Sequence, residues 1–276
     1  MPVVISQSLV LEDTGELGAD NPIVGWQSLV TPATIAASSE DADHPASNLA
    51  NPATHLRWRG EIETGTTHID ITTNSVEDVD YVAIAKHNFG SAGIVVSVEG
   101  TLDNSSPYSS PAMAELVEEH ILADDSPVIF RFVPQPLATV RIVLQLAAEL
   151  PEAAVVYCGK LLILPRRIWQ GHTPIKYARK TRIVSGLSES GNFLGRVMIG
   201  ETRESEAHLS LIDPATYRED IDPFIAAAQT RPFFFAWRPQ TYPMECGFAW
   251  MMGDPRPVNA GQHGLTEITL PMQGVA

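Results

Sequence analysis

Histidines, acids and cysteines are the residues of this chain that could do chemistry, and their spacing decides which chemistry is open to them. His44, His55 and His68 stand 11 and 13 residues apart, without the close pairing that zinc sites use. His87 lies in Ala85-Lys-His-Asn-Phe-Gly, where a predicted strand runs into a glycine-containing turn. There it is placed either to ligate or touch a sugar, or, as turn histidines more often do, to bond to backbone. Cys158 and His172 do not make a nucleophile and base, because Cys158 sits in an apolar strand with nothing to stabilise a thiolate. No Gly-x-Ser-x-Gly elbow occurs. Gly186, Gly191 and Gly195 lack the Lys-Ser/Thr ending of a phosphate loop.

The acids give little more. Glu61 and Glu63 would share one strand face and could form a glycosidase-like pair, although carboxylates at i and i+2 on an exposed strand are ordinarily just solvated. Asp78, Asp80, Asp124 and Asp125 could help build a calcium site, but no EF-hand-like loop supports one. Asp103-Asn104 and Gly100 read as turn chemistry. The expectation is therefore no enzyme, no cofactor and no metal.

The chain that must position these residues has 276 of them, 44% hydrophobic and 18% charged, with a mean hydropathy of zero. A disordered chain would be apolar-poor and highly charged. No apolar run approaches the ~20 residues of a membrane span, and the start Met-Pro-Val-Val-Ile-Ser-Gln lacks a secretory pattern. Cys158 and Cys246 are expected as free, buried thiols of a chain made in a reducing cytosol. The net charge of −15 is uneven. Residues 1–150 hold 21 acids against 5 bases, and residues 151–276 hold 12 against 13. An acidic front half argues against wrapping nucleic acid, so no sequence-specific nucleic-acid partner is expected. Between Ala153 and Ser188 there are seven bases and no acid. That stretch is either a solvated connector or a surface for an acidic neighbour or nucleic acid.

Short β-rich runs separated by Pro and Gly predict a mainly β chain. Strands are expected at His68–Thr72, Tyr81–Ala85, Ile94–Glu99, Val128–Val133, Thr139–Leu144 and Val155–Leu164. In the front half only Pro111–Leu122 has helical spacing, through Met113, Leu116, Val117 and Ile121. Further on, Asp213 is a predicted N-cap with Pro214 at the first helical position, and Asp222-Pro223 opens a second short helix. Strands are expected again at Pro232–Arg238, Glu245–Met252 and Gly264–Met272. The division predicted is an arm (1–30), a β-sandwich (31–165), a basic connector (166–182) and a second β-sandwich with a short helix (183–276). Alternation puts Phe233, Phe235 and Trp237 in a core and Phe234 on the other face. An exposed Phe234 or Trp250 would anchor a neighbouring subunit.

Two resemblances follow from the wording of the chain. Ala46-Ser-Asn-Leu-Ala-Asn-Pro-Ala-Thr-His-Leu-Arg-Trp58, Thr67-His-Ile-Asp-Ile71, Tyr81-Val-Ala-Ile-Ala-Lys-His-Asn, Ala138-Thr-Val-Arg-Ile-Val-Leu144 and Tyr157-Cys-Gly-Lys-Leu-Leu-Ile163 follow one another. This order resembles discoidin-type galactose-binding (jelly-roll-like) β-sandwiches over residues 30–165. The likeness implies Trp58 pinning the incoming loop, Arg141 on a core strand, and a glycan contact through Arg57, Trp58 and His87. The Asn-Pro-Ala-Thr-x-x-x-Trp wording, with Phe233-Phe-Phe-Ala-Trp-Arg-Pro-Gln-Thr-Tyr-Pro243 and Gly247-Phe-Ala-Trp250, is similar to virion proteins of tailed bacteriophages. That likeness implies a structural, distal-tail-like subunit of the tail tip or baseplate, located in the virion. Its partners would be copies of itself in a ring, a hexamer, and other tail proteins. Arg166, Arg167, Arg179, Lys180, Phe234 and Trp250 are the assembly residues expected under this reading. The alternatives are a carbohydrate-binding module recognising host surface glycan, and a cell-wall glycan hydrolase using Glu61 and Glu63.

Overall fold

The computed structural model of the chain describes residues 2–9, 20–73, 77–102, 113–261 and 264–275. Strands β1 (Val3–Ile5), β2 (Ile23–Gly25) and β3 (Ile35–Ala37) come first, followed by a 3-10 turn at Ala46–Ala50. Next are β4 (Trp58–Arg59), β5 (Thr64–Thr72), β6 (Val79–Ala85), β7 (Val95–Thr101) and β8 (Ala114–Ile121). The front half closes with β9 (Val128–Gln135), β10 (Thr139–Ala147), β11 (Glu152–Ala153), β12 (Val155–Gly159) and β13 (Leu162–Ile163). Two sheets, ordered β3-β5-β10-β7-β8 and β1-β9-β6-β12, face each other across a core of Trp58, Ile69, Val82, Phe130 and Ile142. Alternation along β10 explains its place: Val140, Ile142 and Leu144 point into that core, while Arg141 and Val143 between them stay half-buried. The chain is mainly β, as its punctuation by Pro and Gly predicts.

One expected helix is a strand. Within Pro111–Leu122, Ala114–Ile121 form β8, paired antiparallel with β7. Val98 faces Val117 and Glu99 faces Glu115, so Leu116 is the extra residue of a β-bulge. The bulge turns both Leu116 and Val117 inward. Two adjacent buried residues break the period of two, which is why the segment reads as helical. Asp103 and Asn104 lie outside the described residues. Val155–Leu164, expected as one strand, divides into β12 and β13 at Lys160-Leu161, where the buried Asp80 carboxylate accepts the Leu161 N–H (2.7 Å).

The back half contributes β14 (Arg179–Leu187), β15 (Phe193–Ile212), α1 (Pro214–Thr216) and α2 (Asp222–Ala228), with a π turn at Tyr217–Ile221 joining the helices. Asp213 caps α1, accepting from Ala215 N–H (2.8 Å) and Thr216 N–H (3.3 Å). The wide turn meets Pro223, which has no N–H to continue an α ladder. Strands β16 (Phe233–Ala236), β17 (Cys246–Met251), β18 (Val258–Ala260) and β19 (Leu265–Val275) follow. The sheet order is β13-β2-β16-β17-β19-β15-β14, with β18 beside β19. The first thirty residues therefore give β1 to the four-stranded sheet and β2 to this one.

The middle of this sheet is covered on both faces. Phe224, Ile225 and Ala228 of α2 lie over Phe233, Phe235 and Leu270 on one side. On the other side Phe234, Cys246 and Phe248 meet Tyr81, Ala83, Ile129 and Tyr157 of the four-stranded sheet. That second cover is why all seven residues of β6, Asp80 included, are buried. The approach is close at Gly25, where a Cβ would come within 2.8 Å of the Tyr81 ring.

Candidate functional site

Of the three residues expected to touch a glycan, only Arg57 reaches solvent. Its Nη1 donates to Glu152 (3.1 Å), and Arg59 Nε donates to the same carboxylate (2.7 Å). Glu152 is placed there by β11, which pairs with β4. Burial alone would raise its pKa, but the two guanidinium groups outweigh it and hold the carboxyl below its usual range. Trp58 is wholly buried, its indole N–H donating to Ser39 C=O (3.2 Å), so it is a core residue and not a sugar platform. His87 follows Lys86, whose φ of 56° turns the chain out of β6. The His87 ring is buried, with Nε2–H directed at Ser126 C=O (2.9 Å) and Nδ1 accepting from Phe89 N–H (3.2 Å). Burial lowers its pKa to about 4, so the ring is neutral and structural.

The paired acids do not converge. Glu61 and Glu63 are exposed in the loop before β5, not on a shared strand face. Asp124 pairs with Lys176 (3.3 Å), Asp125 accepts from Ser91 N–H (2.8 Å), and Asp80 is buried on β6. Among the described residues no group of three or more His, Cys, Asp or Glu side chains is placed to hold a metal. Cys158 and Cys246 are fully buried, and burial pushes both thiols far above their ordinary pKa. His172 is occupied elsewhere, against Phe235 and Trp237.

Two features escape a sequence reading. A half-open groove of about 270 Å³ runs where the sandwich meets the second sheet, lined by Trp26, Gln27, Asp78, Lys160 and Arg231 among others. An adjoining groove of about 180 Å³ shares Trp26, Gln27 and Lys160 and ends at Glu219 and Asp220. Nearby in sequence to β16, Trp237 and Tyr242 stack at 5.4 Å with planes 8° apart, and the Arg238 guanidinium lies over both rings. Asp20 fixes this loop: it accepts from Arg238 Nε, Gln240 N–H, Thr241 N–H and Thr241 Oγ1–H. Contacts across more than two hundred residues leave no local pattern to read.

A run of exposed apolar side chains lies elsewhere. β14 and β15 form a ribbon whose outer part, residues 179–203, pairs only with itself among the described residues, since β19 joins β15 from Glu204 onward. Ile183, Val184, Leu187, Phe193, Val197 and Met198 are all exposed, Leu187 at 68%. Trp169 of the preceding connector is 79% exposed. Of the assembly residues expected from sequence, Arg179 and Lys180 lie on the ribbon and pair with Glu201 (3.9 Å) and Glu204 (2.6 Å). Arg166 and Arg167 line a small hollow beside Leu209 and Ile212. Trp250 is half-buried on β17. Phe234 is completely buried, edge-on to Tyr157 and against Phe248, so it cannot anchor another subunit. The expected exposure failed because its face of the sheet is covered by β6 and β12.

Comparison with known proteins covers part of the chain. Residues 28–123 match the sequence profile of the XRCC1 N terminal domain. No curated protein matches the chain. Among solved structures it is similar to chitosan-binding module 1 of a chitosanase/glucanase from Paenibacillus sp. IK-5, with 14% identity and a TM-score of 0.42, over 49% of this chain and 99% of that one. It is also similar to the Clostridium perfringens module CpGH89CBM32-5, solved with GalNAc-β-1,3-galactose. There identity is 13% and the TM-score 0.38, over 46% of this chain and 94% of the module. A third, the CBM32 of AlyQ in complex with 4,5-unsaturated mannuronic acid, has 14% identity and a TM-score of 0.37, over 49% and 96%.

Proposed function

We propose that the chain is a non-catalytic assembly protein of a bacteriophage tail tip, a distal-tail-like ring subunit linking the tube to the tip or to the receptor-binding apparatus. The observation that carries this reading is the ribbon of residues 179–203, whose apolar side chains are exposed on a strand pair with no third strand beside it among the described residues. A two-stranded ribbon is marginal in water by itself. Apolar surface of this kind marks a site of association, and a ring needs a heterologous contact whose rotation closes. The virion-like wording around Asn51–Trp58 and Phe233–Pro243 supports the setting. Electron microscopy of the full chain tests it. Closed rings of uniform size are expected, and single particles at every concentration would overturn the reading.

A second reading, carbohydrate recognition at a host surface, is favoured by the groove at Trp26. Sugar-sized ligands ask for an apolar or aromatic wall with a few placed polar groups, and Trp26 with Gln27, Asp78, Lys160 and Arg231 supplies both. A glycan array probed with the full chain distinguishes the readings: binding that is lost in Trp26→Ala supports recognition, and no binding to any glycan removes it.

A further inference from the structure

We infer that the basic outer edge of the ribbon, β14, pairs with the acidic edge strand β8 of a second copy of this chain. This rests on the assembly reading and names the surface that receives the ribbon. β14 ends the eight-stranded sheet and β8 ends the five-stranded one, so among the described residues each presents a free row of backbone donors and acceptors. The two edges are of nearly equal length, nine residues and eight.

Charge selects the pairing. β14 carries Arg179, Lys180 and Arg182 and no acid. β8 carries Glu115, Glu118 and Glu119 and no Lys or Arg. Arg182 has no partner among the described residues, nor does Arg196 across the ribbon. Glu118 and Glu119 accept from neutral donors, the Gln7 N–H and the Gln145 amide, and no Lys or Arg pairs with any of the three acids among the described residues. Pairing β14 with β14, or β8 with β8, would set like charges opposite each other, which is unfavourable. Of these three pairings, β14 against β8 is the one that brings opposite charges together. The contact is therefore heterologous: each copy offers one edge and receives another, the arrangement that generates rings or filaments. Exposed Ile121 at the end of β8 gives the ribbon's Ile183, Val184 and Leu187 an apolar neighbour.

Charge exchange in the full chain tests this by sedimentation velocity at low salt. One variant carries Glu115→Lys, Glu118→Lys and Glu119→Lys, the other Arg179→Glu, Lys180→Glu and Arg182→Glu. Each alone is expected to associate about tenfold to a hundredfold more weakly than the wild type. Mixed in equal amounts, the two should form a complex that neither forms alone. Glu115→Lys and Arg182→Glu singly, at residues without internal partners, repeat the test in the same direction if a triple variant unfolds. Wild-type association that both variants retain would overturn the edge pairing and leave the assembly reading standing. A wild type that remains monomeric overturns both. Flotation with anionic phosphatidylglycerol vesicles that depends on Leu187 and Phe193 would assign the ribbon to a lipid surface instead.

Discussion

Strand β6 and the outer ribbon are built from similar residues and meet opposite fates. Val79–Ala85 is buried at every position because sheets cover it on both sides. Ile183, Val184, Val197, Met198 and Ile199 are as apolar, yet all are exposed, because the sheet they extend runs past its covering layers. Burial in this molecule is decided by which layers reach a strand, not by the strand's own hydropathy. The layers over β6 make a core. Over the ribbon, the layer we propose is another molecule.

Truncating one residue of each kind puts this contrast under the greatest strain. Phe234→Ala empties a site between two sheets and is expected to cost about 3–5 kcal/mol of stability in chemical denaturation. Phe193→Ser on the ribbon is expected to change stability by no more than about 0.5 kcal/mol while weakening association. Equal losses for the two would show that the ribbon is packed within the single chain.

Two buried groups extend the contrast to pH. Burial raises the Asp80 carboxyl from 3.8 to about 6 and lowers the His87 imidazole from 6.5 to about 4. Between pH 4 and 6 the folded state holds the Asp80 proton that the unfolded state has lost, so this residue's contribution makes stability fall as pH rises. His87 does the reverse: the unfolded state gains a proton that the folded state refuses, and stability is lost as pH falls from about 6.5 towards 4. In the wild type the two nearly cancel over this window. Relative to the wild-type slope, Asp80→Asn should make stability rise more steeply with pH and His87→Gln less steeply, each by about 1 kcal/mol per pH unit. Urea unfolding across pH 4–6 reads both; a variant whose slope equals the wild type's would show that the group it removes, the Asp80 carboxyl or the His87 ring, is solvated.

Much of the sandwich was legible because half- and fully buried strands keep their apolar period. β5, β6, β9 and β10 lie where their sequences place them. β8 was not legible because a bulge sets Leu116 and Val117 side by side in the core. Phe234 was assigned its correct face, but sequence does not say that this face is covered by another sheet. The candidate surface was less legible still: exposed Ile183, Val184 and Val197 look like any core strand, and Trp26 meets Lys160 and Arg231 only in three dimensions.

Smaller effects are expected from the charged residues. Replacing Arg166, Arg167, Arg179 and Lys180 together by Gln should weaken assembly modestly, since exposed pairs contribute ~0.2–1 kcal/mol each and two of the four already pair within the ribbon. Added salt should imitate the variant. Smallest of all, Glu61→Gln with Glu63→Gln should leave folding and assembly unchanged, and a sugar hydrolysis lost in that double variant would replace the structural reading with a catalytic one.

Whether a second molecule covers the ribbon can be read from hydrogen exchange of the full chain, followed by mass spectrometry at low and high protein concentration. Amides of residues 183–199 are predicted to exchange quickly in dilute protein and to become protected as concentration rises, while β6 stays protected throughout. Ribbon amides that exchange at one rate at all concentrations, or protection that appears elsewhere and not on the ribbon, would contradict it.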